Sequence, residues 1–137
     1  MKPPREKGPL GSPEDWYAHA ESDINLARLA KNAEGVLPEQ VCFHAQQAAE
    51  KALKAVLLFK RIEFPFVHDL ESLFELVKKG SVSVPLTVIE AGSSLTPYAV
   101  EFRYPGHSEE VTSSDADQAI RLAEAVLRWA SETLGSR

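Results

Sequence analysis

Apolar residues recur at three- and four-residue steps through most of this chain, and nowhere alternate at period two long enough to demand a sheet. Ser12 with Pro13, followed by Glu14 and Asp15, carries the signature of a helix start. Trp16, Ala20, Ile24 and Ala27 mark the buried side of that first helix, which is expected to run to about Ala33, with Gly35 supplying a left-handed stop. Pro38 opens a second helix reaching about Lys60, roughly 35 Å at 1.5 Å per residue. Its stripe of Val41, Ala45, Ala48, Ala52, Ala55 and Phe59 is dominated by small side chains, so another backbone can approach closely. Gln46, Gln47, Glu50 and Lys54 lie off that stripe and read as a solvated edge with an i,i+4 ion pair.

Phe64-Pro65-Phe66 ends the second helix. Leu70, Leu73, Phe74 and Val77 define a short third helix that stops at Gly80. In the fourth helical region Gly92 is a weak point, and Pro97 forces a bend or opens a new turn capped by Thr96. Tyr104 before Pro105 ends that region near Arg103, leaving residues 104–114 as a loop. Ser114 with Asp117 starts a last helix along Ala116, Ala119, Ile120, Ala123, Val126, Leu127, Ala130 and Leu134. The expected fold is all-α: an antiparallel up-and-down bundle of four principal helices plus a short one, with the second as its spine.

Length allows one domain with a real core: 137 residues at 44% hydrophobic content. Residues 1–11 read as a flexible tail and 12–137 as the helical domain. A net charge of -5 argues against a surface that coats nucleic acid, without excluding a local cleft. Lys51, Lys54, Lys60 and Arg61 make the second half of helix two basic, which also suits the helix dipole. The single cysteine, Cys42, and the absence of zinc-ligand spacing fit a reducing compartment and no metal or other cofactor. No apolar run approaches the roughly 20 residues that span a bilayer, so a cytoplasmic chain without membrane contact is expected.

Three segments in this order resemble the HEPN domain family (higher eukaryotes and prokaryotes nucleotide-binding). They are Phe43 to Ala55, reading FHAQQAAEKALKA; His68-Asp69-Leu70 at the third helix; and Leu95 to Gly106, reading LTPYAVEFRYPG. The resemblance runs from about Trp16 to Leu134. It implies a helical bundle that dimerises, and the family divides into RNA-cleaving members and members without the nuclease motif. Short prokaryotic members often pair with a separate small nucleotidyltransferase in toxin-antitoxin systems.

RNA-cleaving members place an Arg and a His, four to six residues apart, from both subunits in a dimer cleft, and need no metal. A histidine near its ordinary pKa suits the proton transfer, and an arginine suits the charge that accumulates on phosphorus. Here the matching stretch reads Arg103-Tyr104-Pro105-Gly106-His107, with only three residues between the pair. Pro105 and Gly106 are expected to break the helix that would align them. Position 109, where some family toxins carry a tyrosine silenced by adenylylation, is Glu109.

The favoured reading is therefore a homodimeric binding and regulatory module for nucleotide- or RNA-related chemistry, partnered by a separate nucleotidyltransferase. The alternative is a metal-independent ribonuclease toxin using Arg103 and His107. Lys51, Lys54, Arg103 and Tyr104 are the residues placed to contact RNA or another polyanion. The remaining histidines read structurally: His68 beside Asp69 at a helix start, His44 as a hydrogen-bonded interior or interface group, and His19 on the surface.

Overall fold

A computed structural model describes residues 11–65, 69–99, 105–106 and 109–135. Five α-helices follow in order: α1 (Pro13–Lys31), α2 (Pro38–Phe59), α3 (Leu70–Lys79), α4 (Leu86–Leu95) and α5 (Ser113–Gly135). A short 3-10 turn, Thr96–Ala99, continues α4, and there is no strand among the described residues. The all-α bundle expected from the periodicity is the fold observed. No helix among the described residues is long and apolar enough to cross a membrane.

The ends of the helices follow from local chemistry. Ser12 and Asp15 form a reciprocal capping box in which Asp15 N–H donates to Ser12 Oγ and Ser12 N–H donates to Asp15 Oδ2, both at 3.0 Å. The Ser12 N–H, and after it the Ser12 hydroxyl, hold the Asp15 carboxyl below its usual range. Helix α1 stops two residues earlier than expected, capped at Asn32, and Gly35 takes its positive φ of 83° in the loop beyond. At the end of α2, Ile62 N–H donates to Leu57 O at 2.8 Å, and Arg61 sits at φ 60°, where glycine is the usual occupant. Asp69 caps α3 through Glu71 N–H, as the His68-Asp69-Leu70 run suggested; His68 itself lies outside the described residues.

Two caps differ from the expectation. The box that opens α5 is Thr112 with Asp115, in which Thr112 N–H donates to Asp115 Oδ2 at 2.9 Å and Asp115 N–H to Thr112 Oγ1 at 3.1 Å. Ser114 with Asp117 has the same spacing, but Asp117 instead forms an ion pair with Lys31 of α1. Thr96 does not cap a new turn of its own. Its hydroxyl donates to Gly92 O at 3.1 Å and accepts the Leu70 N–H at 3.2 Å, fastening the start of α3 to the end of α4.

Helix α2 is the spine, lying against α1, α3, α4 and α5. Val41, Ala45, Ala48, Ala52 and Ala55 are all buried, and Phe59 at the helix end is half-buried. Small side chains let α1 and α5 close over α2 from either side. Helix α1 runs antiparallel to α5: Tyr17 Oη donates to Leu127 O at 3.1 Å, and further along Arg28 meets Glu124 at 2.7 Å. Helices α3 and α4 pack together at Gly92, where an added Cβ would lie 2.5 Å from Phe74 Cε2. The glycine that looked like a weak point is the seat of the Phe74 ring, itself 5.9 Å from the Trp129 ring. Trp129 Nε1 also donates to Ser83 O at 3.1 Å, tying the loop before α4 to α5.

Candidate functional site

Burial of charge singles out one face of α2. Gln46, Glu50 and Lys54 are spaced four residues apart, and all three are buried among the described residues. The solvated edge expected for Glu50 and Lys54 is thereby corrected: the spacing that makes an exposed helix pair here makes an enclosed one. Lys54 Nζ donates to Glu50 Oε2 at 2.8 Å. The other carboxylate oxygen accepts from Gln46 Nε2 at 3.2 Å and Gln47 Nε2 at 3.5 Å, and Gln47 also donates to Gln46 Oε1 at 2.7 Å. Both oxygens of Glu50 are satisfied, as a buried carboxylate requires.

Aromatic rings close over the cation. Lys54 Nζ lies 5.8 Å from the Trp16 ring centroid and 5.6 Å from that of Phe64, within the range of cation–π attraction. The two rings meet edge to face at 6.2 Å. Trp16 comes from the first turn of α1 and Phe64 from the segment after α2, so the row of polar groups fastens three parts of the chain together.

A second cluster lies on the neighbouring face. Lys51 Nζ meets Asp23 Oδ2 of α1 at 2.7 Å, and His44 Nδ1 is 3.8 Å from Asp23 Oδ1, too far for a hydrogen bond. His44 packs 5.3 Å from the Phe43 ring. His19 is exposed, as expected. Both α2 lysines named as polyanion contacts therefore carry a carboxylate partner, Lys51 from α1 and Lys54 from its own helix. Sequence periodicity did not reveal Asp23, Trp16 or Phe64 as members of these clusters. The signal available was only that Glu50 and Lys54 sit one turn apart within an alanine-rich helix.

Arg103, Tyr104 and His107 lie outside the described residues. Between the arginine and the histidine, Pro105 and Gly106 form an exposed turn in which Gly106 adopts φ 97°. That conformation is left-handed and incompatible with a right-handed helix at Gly106. On the near side of this segment Tyr98 hydrogen-bonds Cys42 on α2, at the 3-10 turn. Burial pushes both groups up to about 12, so the Cys42 thiol is protonated near neutrality and is not a nucleophile.

None of the curated proteins matches this chain. A family model described as the HEPN domain matches residues 13–134. The fold is similar to the crystal structure of ST0689, an archaeal HEPN homologue, at 31% identity and a TM-score of 0.74, covering 90% of this chain and 98% of that one. It is similar also to TT1696 from Thermus thermophilus, at 30% identity and a TM-score of 0.79, covering 89% and 98%. Matched over nearly the whole of its helical bundle, the chain belongs to the HEPN domain family.

Proposed function

We propose that this chain is a cytoplasmic HEPN homodimer that acts as a binding and regulatory module for nucleotide- or RNA-related chemistry, together with a separate nucleotidyltransferase. Family membership supports the broad class. The observation that carries the choice of binding over cleavage is the Pro105–Gly106 turn, with Gly106 at φ 97°. An arginine and a histidine four positions apart share a face on continuous helix, and a turn between their positions supports reading them as a recognition pair and not a cleaving one. The chemistry left to the pair is charge recognition by Arg103, the cation best shaped for a phosphate.

The test combines cleavage and binding. Purified protein with a chelator present should leave RNA intact, while binding a labelled oligoribonucleotide or adenine nucleotide in a fluorescence-anisotropy titration. Arg103→Ala should weaken that binding about 10- to 100-fold, the scale of a lost hydrogen bond to a charged group. Co-expression with a nucleotidyltransferase encoded next to this chain should yield a complex. RNA cleavage without metal that disappears in His107→Ala overturns the reading and makes the chain a ribonuclease.

A further inference from the structure

The seam between α1 and α5 is not closed along its length. Two hollows open on it, one of about 350 Å³ beside Glu124 and Arg128 and one of about 320 Å³ beside Ser131 and Leu134, and Tyr17 and Glu21 of α1 border both. Hollows of that size suit small molecules. Tyr17 is the post between them, its hydroxyl fixed by the bond to Leu127 O. Beyond it the first hollow has the buried Ile24 in its wall and is bounded by the Arg28–Glu124 ion pair, which Asn25 Oδ1 joins by accepting from Arg28 at 2.7 Å.

Charge in the first hollow is balanced but only half of it is paired. Two carboxylates, Glu21 and Glu124, and two guanidiniums, Arg28 and Arg128, line it. Arg28 and Glu124 satisfy each other at 2.7 Å. Glu21 and Arg128 face the same space from different helices, yet neither makes a hydrogen bond or an ion pair among the described residues. One carboxylate is thus left to accept and one guanidinium to donate. The second hollow has no cation among its lining residues, and Ala18 and the buried Leu134 give it apolar walls. Along the seam the order is therefore guanidinium, carboxylate, apolar wall: Arg128 lines only the first hollow, Glu21 borders both, and Leu134 lines only the second. An α-amino acid carries matching groups in the same order, namely a planar carboxylate that a guanidinium can grip with two parallel bonds, an ammonium next to it, and a side chain.

We infer that the α1–α5 seam binds a zwitterionic α-amino acid with an apolar side chain, Arg128 taking the carboxylate, Glu21 the ammonium, and the side chain lying past Tyr17 towards Leu134. A nucleotide suits the hollow less, because its several negative charges meet as many carboxylates as guanidiniums. This site goes beyond the functional reading above and stands apart from it: the seam belongs to α1 and the second half of α5, while the 3-10 turn leading towards Arg103 packs on α2 and α4. A ligand that bridges α1 and α5 also stabilises the folded bundle, since the unfolded chain has no such seam.

Calorimetric titration and thermal melting of the full chain with leucine test it. Leucine is expected to bind saturably and to raise the melting temperature. Leucinamide, which lacks the carboxylate, and N-acetylleucine, which lacks the ammonium, should each bind about 10- to 100-fold more weakly. Glu21→Gln and, separately, Arg128→Gln should weaken leucine by the same factor. Both side chains are exposed, so melting without ligand and oligoribonucleotide binding should match the unmodified protein. No leucine binding at about 10 mM overturns the site, as does leucine binding that is equal in both variants or equal for leucinamide and N-acetylleucine. Adenosine monophosphate that binds in leucine's place and is lost in Arg128→Gln overturns the choice of a zwitterion and gives the seam to a phosphate.

Discussion

Lys54 Nζ and Glu50 Oε2 meet at 2.8 Å with side-chain exposures of only 7% and 4%. Removing one partner leaves the other's charge enclosed, whereas removing both does not. Lys54→Met should therefore destabilise the bundle by about 3–5 kcal/mol. The double variant Glu50→Gln, Lys54→Met should lose less than Lys54→Met alone, because a neutral amide can still accept from Gln46. Urea titration of the three proteins measures the difference directly; equal losses would mean that the ion pair is not what holds the row together.

Gly92 faces Phe74 at a distance that leaves no room for a methyl group. In an open helix Gly→Ala gains about 1 kcal/mol. Here the added methyl must displace a ring that is 1% exposed and wedged beside Trp129, an overpacking cost of about 1–3 kcal/mol. Gly92→Ala should lower the melting temperature, and adding Phe74→Leu to it should restore part of the loss.

Two overlapping pairs of equal spacing compete to open α5, and the capping bonds choose Thr112 with Asp115. Thr112→Ala should cost about 0.5–2 kcal/mol, the range for a lost N-cap. Ser114→Ala, inside the first turn of the helix, should be close to neutral. Chemical denaturation of the two single variants separates these registers, and the reverse order of effects would restore the other box.

Alkaline pH should weaken the fold through Cys42 and Tyr98. Burial raises both groups to about 12 in the folded chain, from ordinary values of 9.0 and 10.0. Between about pH 9 and 12 the folded chain holds protons that the unfolded chain has released, so stability falls as pH rises. The contribution is fully present below about pH 8.5, under both unfolded values. Cys42→Ala should flatten the first part of that decline in stability measured against pH, and the native thiol should resist alkylation at pH 8.

How far the sequence predicts the structure depends on whether the deciding interaction is local. Pro13, Pro38, Asp69 and Gly80 mark helix ends within one turn of where they act, and those ends are where the periodicity placed them. Thr96 reaches across to Leu70, which spacing does not mark because the partner is supplied by packing; Asn32 ends α1 early through a local backbone bond that no cap residue signals. Glu50 and Lys54 are subtler, since an i,i+4 pair has the same pattern whether water or protein surrounds it. What buries this one is Trp16, from the preceding helix, and Phe64 beyond the end of α2. For Arg103 and His107 the residue types and an expected helix break are legible in the sequence; a turn is observed at Pro105–Gly106, while the two residues themselves lie outside the described residues.

The hydrogen bond from Tyr17 to the carbonyl of Leu127 joins positions 110 apart in the chain. A ribosome releases α1 and α2 long before α5 exists, so the first two helices can form a hairpin early, with one flank of α2 bare. Closing the bundle waits for a loop of more than a hundred residues to come together, and its cost is the entropy of that closure. During synthesis the flank of α2 that α5 will cover therefore stays open to water until α5 is made. Truncation before Trp129 should leave a chain that cannot complete its own core.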